Sequence, residues 1–496
     1  MPQRARRPGA AVSGASGGPE HGARVATLSS PRPLVTTPRP VRAPSVWLAA
    51  ATGIALSALY AAVSLRRHAL LRSTGFDLGI FEQEVRSYAS GHWPTSTLKG
   101  PGFPLLGDHF SPITAVLAPA YRLFPGPGTL LVAQALLLGL AAVPLTLWAH
   151  RLAGARAGLV VGLGFGLSWG IAQAVIFDFH EVAFAVPLLA FSLSALGAGR
   201  LRAAIAWAAP LVLVKEDLGL TVAVVGMLVA WRGERRFGLA AAVGGVAATL
   251  VEMFVVIPAI SPAGADTYAG HLGAAAVWRL PTLLTNGTKL ATLVLVLLPT
   301  GFLALRSPLL WVAVPTLAWR LLSDYPAYWG TSYHYSAVLM PVVVAALVDV
   351  LARGAVGSTA RRWGLALGVV ATGACLLAPP PALSSGLLDV VRPGFWATTD
   401  HVALGRAVLD RIPAGATVAA SNGLAPQLTA RDDVSLLGGT PLTVSRPDYV
   451  VADTAAAQQF PVGGQELREL ALGGRELGYR VVVDEDGYLL LAAPGR

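Results

Sequence analysis

The sequence contains few charged residues and almost no cysteine. Of its 496 residues, 13% are charged and 54% are hydrophobic. The single cysteine, Cys375, excludes an intrachain disulfide and any metal site built from several cysteines. The hydrophobic residues form blocks of about 15 to 22, separated by short links that carry arginine, and such blocks are typical of transmembrane helices. We therefore predict a polytopic α-helical membrane protein.

Lysine is also scarce, so nearly all of the positive charge is arginine. A net charge of +10 would suggest a nucleic-acid partner in a soluble chain. Most arginines here lie in the N-terminal tail and between the hydrophobic blocks, where they set membrane topology. We consequently expect the lipid bilayer as a partner and no nucleic acid.

Residues 1–44 lack any hydrophobic period. They are rich in Ala, Gly, Pro, Ser and Arg, and they contain seven arginines against one acid, Glu20. This composition predicts a disordered cytoplasmic tail. A signal peptide does not fit, because no hydrophobic core begins before Val46.

Residues 45–380 are predicted to form a transmembrane domain of about eleven helices. The expected spans are approximately 46–65, 129–149, 157–176, 182–198, 203–214, 218–231, 237–258, 290–305, 308–322, 336–352 and 363–379. With the tail in the cytoplasm, the short cytoplasmic links hold many arginines and one acid, Glu234, which satisfies the positive-inside rule. Arg66, Arg67 and Arg72 are the exception, because this topology places them outside.

The opposite face collects acids and histidines. The outer segments are FDLGIFEQ (76–83), GDHFSPI (107–113), DFHE (178–181), KED (215–217), DTYAGHLG (266–273) and SDYPAYWGTSYHY (323–335). One explanation is that outer loops simply escape selection for positive charge. The pairing of acids with His, Lys and Tyr in such short links favours a functional site.

Lys215, Glu216 and Asp217 are expected to lie below the membrane surface. The predicted spans on either side hold 12 and 14 residues, or about 18 and 21 Å of helix, whereas the hydrocarbon core is about 30 Å thick. The three charges should therefore pair with one another or line a polar cavity. A single kinked helix over 203–231 and a purely structural ion pair are the alternatives.

The long first outer loop, residues 66–128, is predicted to begin with an amphipathic helix. If FDLGIFEQEVRSY is helical, Asp77 and Glu84 share one flank of an apolar stripe and Glu82 lies on the other. Such a helix is expected to lie at the membrane interface.

A second interfacial helix is predicted from Pro112, directly after Asp108 and His109. Together the two helices would hold Asp77 and the Asp108/His109 pair over the mouth of a membrane cavity. The alternative is that Asp108 completes a capping turn and Asp77 only solvates a helix flank.

Residues 381–496 are predicted to form a small α/β domain outside the membrane. The segments expected to form strands are ATVAAS (416–421), DYVVAD (448–453) and YRVVVDEDGYLLLA (479–492). Helices are expected over 401–411 and 465–478. Asn422, Arg431, Asp432 and Asp433 are candidates for glycan binding, or plain loop residues. No nucleotide-binding glycine loop or nucleophile motif stands out.

The set FDLGIFEQ, LLGDHFSPI, DFHE, VKED and the histidine-bearing segment before the tenth span resembles a bacterial membrane-protein family called domain of unknown function 2079, over most of residues 46–480. That family in turn resembles the GT-C glycosyltransferases, which are membrane enzymes that use polyprenyl-phosphate sugars. The resemblance implies a GT-C-like domain in the bacterial plasma membrane, with a cytoplasmic N-terminus and an extracytoplasmic C-terminal domain. It is an analogy of fold, so function must be argued from the site.

The resemblance implies transfer of a sugar from a polyprenyl-phosphate donor to an envelope glycan, lipid or protein acceptor. Asp77 matches the family's first-loop acid and would be the general base, while Asp178 matches a second acid that orients the acceptor or shares a metal. The candidates for the lipid phosphate are Lys215, Arg320, His180 and His334. The other substrate-binding candidates on this face are Glu82, Asp108, His109, Glu181, Glu216, Asp217 and Tyr335. Asp108 with His109 is also a candidate site for a divalent metal ion, and no other cofactor is expected.

Two other functional classes stay open. A secondary transporter also needs intramembrane charges and short helices, although no inverted repeat is visible. A lipid- or sugar-binding membrane protein without catalysis would tolerate the same architecture but leaves the recessed charges unexplained.

Overall fold

The computed structural model describes residues 43–264, 278–378, 383, 386–456 and 460–496. Residues 1–42 of the predicted tail and the segment DTYAGHLG (266–273) lie outside the described residues.

Most of the described chain is helical. The α-helices are α1 Ala43–Ala69, α2 Ile80–Ala89, α3 Ala118–Leu123, α4 Pro127–Ala153, α5 Ala155–Gly166, α6 Trp169–Ile176, α7 Val182–Gly197, α8 Leu201–Ala208, α9 Leu218–Trp231, α10 Arg235–Val251, α11 Ile257–Ile260, α12 Thr282–Thr285, α13 Gly287–Leu297, α14 Val314–Leu322, α15 Pro326–Trp329, α16 Leu339–Arg353, α17 Ser358–Leu377, α18 Pro393–Trp396, α19 Asp400–Leu409, α20 Leu442–Ser445 and α21 Gly464–Gly473. Single turns of π-helix occupy Gly75–Gly79 and Glu252–Val256. The 3-10 helices are Leu105–Gly107, Pro112–Leu117, Ala209–Leu213, Leu298–Thr300, Leu303–Arg306, Pro308–Ala313, Leu387–Val391, Ala425–Gln427 and Gly474–Leu477.

Three helical segments of the described chain are long and apolar enough to cross a membrane: Ser45–Ala69, Pro127–Ala153 and Arg235–Ile260. Counting α5 and α6 as one span, bent by 47°, adds a fourth. The predicted count of eleven is therefore not confirmed. Several predicted spans fold as shorter apolar helices, such as α7, whose 16 residues extend about 24 Å against a hydrocarbon core of about 30 Å.

Helices α1 and α4 pack closely against each other. They belong to the helical part of the chain outside the first loop and before the C-terminal sheet, residues 43–65 and 129–378, which we call the membrane unit. A Cβ atom added at Gly139 of α4 would lie 2.6 Å from the Gly53 carbonyl oxygen of α1, so only glycine permits this approach. The fully buried Tyr60 hydroxyl donates to the Gly166 carbonyl at 2.7 Å, and Ser64 Oγ donates to the Val175 carbonyl at 2.9 Å. These contacts tie α1 to the bent pair α5–α6.

The C-terminal region forms a five-stranded sheet, and all three segments predicted to form strands contribute to it. Its strands are β1 Thr417–Ala420, β2 Asp433–Leu436, β3 Tyr449–Asp453, β4 Arg480–Glu485 and β5 Tyr488–Ala492. Their order is β2-β1-β3-β5-β4, with β1 parallel to β2 and β3, and β5 antiparallel to β3 and β4. The predicted helices over 401–411 and 465–478 are confirmed as α19 and α21.

The first outer loop and this sheet share one hydrophobic core. Ile80, Leu98 and Leu105 of the loop are buried in the same cluster as Val418 of β1 and Leu490 of β5. The loop is therefore packed on the C-terminal region rather than lying alone at a membrane interface. The domain boundary at residue 381 stays a prediction.

The predicted helix over FDLGIFEQEVRSY is wrong at its start. Phe76 and Asp77 have non-helical backbone angles, and α2 begins only at Ile80. The carboxylates of α2 are also not on solvated flanks, because Glu82 contacts the Tyr121 hydroxyl and Glu84 accepts a hydrogen bond from Thr114 Oγ1 at 2.9 Å. The helix after Pro112 covers this polar side, which a single helix considered in isolation could not reveal.

Candidate active site

Asp77 lies in the turn between α1 and α2. Its backbone has φ 147° and ψ −78°, values that cost a non-glycine residue about 1–3 kcal/mol, so neighbouring contacts must hold the turn. The turn brings Asp77 Oδ1 to 3.9 Å from His180 Nε2. About a quarter of the Asp77 side chain, 26%, stays exposed, against 8% of the His180 side chain.

Asp178 anchors this turn from the membrane unit. Its Oδ2 accepts hydrogen bonds from Thr74 N at 2.7 Å and from Thr74 Oγ1 at 2.6 Å. Gln134 of α4 fixes the same link, because its Nε2 donates to the Asp178 carbonyl and its Oε1 accepts from the His180 N–H, both at 3.1 Å. Asp178 is buried, and its Oδ2 is bound to the turn that carries Asp77, while its predicted contact with an acceptor or a metal stays a prediction.

His180 is the central residue of the cluster. Its Nδ1 contacts Glu181 Oε2, and its ring stacks on that of His334, with ring centroids 3.4 Å apart and an interplanar angle of 24°. Glu181 is fully buried and accepts a hydrogen bond from Lys215 Nζ at 2.9 Å. Asp77, His180, Glu181 and Lys215 thus form a continuous chain of titratable groups.

The surroundings shift the pKa values of the two carboxyl groups of this chain, Asp77 and Glu181, in opposite directions. Burial, followed by the charges of Asp178 and Glu181, holds the pKa of Asp77 well above the ordinary value. Burial alone would also raise the pKa of Glu181, but His180 and Lys215 outweigh it and hold this pKa well below the ordinary value. Glu181 is therefore the counterion of Lys215, whereas the surroundings of Asp77 favour the protonated form of its carboxyl group.

The three charged residues of the KED turn have three different partners. Lys215 binds Glu181, as described above. Glu216 accepts from His109 Nδ1 at 2.8 Å and from the Phe110 N–H at 3.1 Å, and Asp217 Oδ2 accepts from Trp319 Nε1 at 2.7 Å. The charges of this turn are bound to the first loop, the DFHE link and α14, and its depth in a membrane stays a prediction. A small cavity opens beside it, lined by Val182, Lys215, Asp217, Leu218, Thr316, Trp319, His334, Tyr335 and Val338.

The proposed cation site at Asp108 and His109 is not supported. Asp108 Oδ2 binds Lys99 Nζ at 2.7 Å, whereas His109 turns to Glu216. Within residues 43–264 and the other described ranges, no group of three or more His, Cys, Asp or Glu side chains is arranged to hold a metal ion. The two neighbours in sequence therefore bind two different side chains, Lys99 and Glu216.

Arg320 does not have the role proposed for it. Its side chain is 1% exposed, and its guanidinium donates to the carbonyls of Tyr328 at 2.7 Å, Gly330 at 3.0 Å and Tyr335 at 3.0 Å. These donors are consumed in folding the segment that carries His334, so Arg320 is not offered to a lipid phosphate. Glu82, bound to Tyr121 inside the first loop, is likewise not a substrate ligand.

Replacing Arg320 with Lys should destabilise the protein by about 2–4 kcal/mol, because an ammonium cannot reproduce three divergent charge-assisted hydrogen bonds. The measurement is the unfolding midpoint in detergent, together with proteolysis of residues 323–336. Arg279→Lys, which changes a partly exposed arginine next to the same segment, is the control. An unchanged midpoint for Arg320→Lys would contradict the structural role.

One buried acid near the site escaped the sequence interpretation. Glu252, in the π-helical turn after α10, is buried, and its Oε2 has no hydrogen-bond partner in the described part of the chain. It lies within electrostatic range of Glu216 and Asp217. The sequence does contain an indication of this residue, because a carboxylate inside the predicted span 237–258 is energetically costly unless it has a function.

Comparisons with known proteins identify a family for the chain and one solved structure with a similar fold. The family model described as "Predicted membrane protein (DUF2079)" matches residues 67–490. The chain belongs to this family. No curated protein matches the sequence. Among solved structures, this DUF2079 protein is similar to ArnT from Cupriavidus metallidurans, determined with bound undecaprenyl phosphate.

The likeness to ArnT has a TM-score of 0.50 and covers 88% of this chain and 97% of that chain. The sequence identity is 16%, so the likeness concerns the fold. The architecture of this DUF2079 protein is therefore similar to that of ArnT.

Proposed function

We propose that the protein is a membrane glycosyltransferase that moves a sugar from a polyprenyl-phosphate donor to an extracytoplasmic acceptor. The observation that carries this proposal is Asp77, an accessible carboxylate in a strained turn beside the buried His180–Glu181–Lys215 chain. The fold likeness to ArnT, a protein determined with a polyprenyl phosphate, supports the choice of donor.

The proposed chemistry uses the two sides of the cluster differently. Asp77 takes the proton of an acceptor hydroxyl as its oxygen attacks the anomeric carbon of the donor sugar. The bond between that carbon and the phosphate oxygen breaks, and the lipid phosphate leaves with the electron pair. Lys215 and His334, which line the same cavity, are the groups proposed to face the departing phosphate.

Transfer should become faster as the pH rises through the pKa of Asp77. A general base must be deprotonated, and the pKa of Asp77 is held well above the ordinary value by burial and by Asp178 and Glu181. The rising limb of kcat/KM against pH should therefore lie above the ordinary carboxyl range, and Asp178→Asn should move it to lower pH by removing one negative charge. A rate that is already flat at mildly acidic pH would contradict Asp77 as the base.

The proposal is tested by offering the purified protein radiolabelled polyprenyl-phosphate sugars together with a membrane extract as the source of acceptors. Label is expected to leave the lipid phosphate and appear in a glycan, lipid or protein fraction. No transfer from any lipid donor, together with proton-coupled uptake in sealed vesicles, would instead identify a secondary transporter.

A further inference from the structure

The turn that carries Asp77 rests on the C-terminal sheet region. Asn422 binds two consecutive residues of the turn: its carbonyl oxygen accepts from the Gly75 N–H and its side-chain Oδ1 accepts from the Phe76 N–H, both at 2.7 Å. Asn422 itself is buried. It therefore satisfies the two backbone donors that immediately precede Asp77.

Asn422 is held by the sheet and not by a free loop. It follows the carboxyl end of β1, and the neighbouring Ser421 N–H donates to the Val451 carbonyl of β3 at 2.9 Å. The Ser421 carbonyl accepts from the Leu424 N–H at 3.0 Å, which closes the connection to the next helical turn. The position of Asn422 is thus set by two parallel strands.

The two surfaces meet without space between them. A Cβ atom added at Gly75 would lie 2.6 Å from the Ala425 Cβ, well inside van der Waals contact. Glycine at position 75 is therefore required for the turn to approach the C-terminal region closely enough for both Asn422 hydrogen bonds.

The strained turn is consequently fixed from two sides. Asp178 of the membrane unit binds Thr74, and Asn422 binds Gly75 and Phe76. A backbone conformation that costs about 1–3 kcal/mol persists only where its surroundings determine it. Removing the Asn422 side chain leaves the Phe76 N–H, the donor next to Asp77, without this acceptor, while the backbone contact to Gly75 remains. The turn can then relax toward ordinary angles, and the Asp77 carboxylate would move away from His180.

We propose that Asn422 is a positioning residue for Asp77, so that the C-terminal α/β region is a working part of the active site. This inference rests on the proposed function in so far as Asp77 is the base. It replaces the glycan-binding role considered for Asn422 from the sequence.

The first test compares Asn422→Ala with Asn286→Ala. The sequence contains only these two asparagines, and the Asn286 side chain accepts two backbone N–H groups, from Thr288 at 3.0 Å and Lys289 at 3.1 Å, at the start of α13. Alanine therefore removes one side-chain acceptor contact to the backbone at position 422 and two at position 286. Misplacing a catalytic group by about 1 Å can lower a rate by roughly 10²-fold. Asn422→Ala should therefore lower kcat by about 10- to 100-fold with little change in KM, whereas Asn286→Ala should leave kcat unchanged.

A second readout does not depend on transfer. A hydrophobic carbodiimide labels buried protonated carboxyl groups, and mass spectrometry of the Asp77 peptide measures the rate. Asp77 faces Asp178, Glu181, Lys215 and Lys99, as well as His180, and a relaxed turn withdraws it from them. Labelling at neutral pH should fall severalfold in Asn422→Ala and stay unchanged in Asn286→Ala.

A pair of substitutions controls for general loss of structure. Gly75→Ala should lower both readouts because its methyl group meets Ala425, and the double variant Gly75→Ala/Ala425→Gly should restore them. If wild type labels at Asp77 but transfers no sugar, the proposed function fails while labelling still decides the role of Asn422. Unchanged labelling in Asn422→Ala, or a double variant no better than Gly75→Ala, would overturn the inference.

Discussion

Replacing Asp77 with Asn is expected to lower kcat by about 10²- to 10⁴-fold, the contribution typical of general base catalysis. Asparagine preserves the size of the side chain and its contact distance to His180 but cannot accept the acceptor proton. KM for the lipid donor should change little, because the phosphate is proposed to lie at Lys215 and His334. The measurement is steady-state transfer from a labelled lipid donor by protein reconstituted in lipid nanodiscs.

The matched control for this variant is Asp484→Asn, which makes the same change at a half-exposed pair with Arg468 on the C-terminal sheet. It should retain wild-type kcat. An Asp77→Asn protein that still transfers at close to the wild-type rate would remove Asp77 as the base and leave the strained turn without a catalytic explanation.

The second large effect concerns the buried pair Glu181–Lys215. Removing one partner of a buried ion pair leaves an uncompensated charge and typically costs about 3–5 kcal/mol. Lys215→Met and Glu181→Gln should each destabilise the protein by that order, because Glu181 is fully buried and Lys215 is nearly so. The free energy of unfolding in detergent micelles, measured by denaturant titration, gives the value.

The double variant Glu181→Gln/Lys215→Met separates coupling from simple loss of packing. It should recover most of the stability lost by either single variant, since neither member of this pair is left charged without the other. Arg468→Met, which breaks an exposed pair, should leave the midpoint unchanged. A double variant that is as unstable as the sum of the two single variants would show that the pair is not energetically coupled.

Counting hydrophobic blocks and arginines was enough to group the segments that form the site. FDLGIFEQ, DFHE, KED and the segment before α16 were assigned to one face, and the structure brings Asp77, His180, Glu181, Lys215 and His334 together. This grouping is possible because charge is energetically costly inside a bilayer, so the few charged links are easily recognised within the apolar sequence.

The geometry of Asp77 could not be predicted in this way. Helical periodicity assigned it to the flank of a helix, but its turn is held by Asn422, 345 positions later in the chain. Local spacing contains no information about so distant a contact. Arg320 fails for a similar reason: its place near the end of a predicted span suggested a phosphate ligand, and only the fold shows that it binds backbone carbonyls.

The number of transmembrane helices is a third feature that the sequence alone does not determine. Hydropathy marks where a block is apolar but not where its helix breaks, and the block after Leu201 changes from α8 to a 3-10 turn at Ala209–Leu213, which contains Pro210. A short, broken helix of this kind ends in the polar turn Lys215–Asp217, whose backbone and charges must find partners within the protein.

The most direct test places the labelled polyprenyl-phosphate sugar only in the outer leaflet of proteoliposomes whose protein is oriented with the C-terminal sheet outward, and follows label into an added acceptor fraction. The account predicts transfer by wild type and almost none by Asp77→Asn in the same vesicles. Equal release of label by both proteins, or transfer only when the donor is on the opposite leaflet, would contradict it.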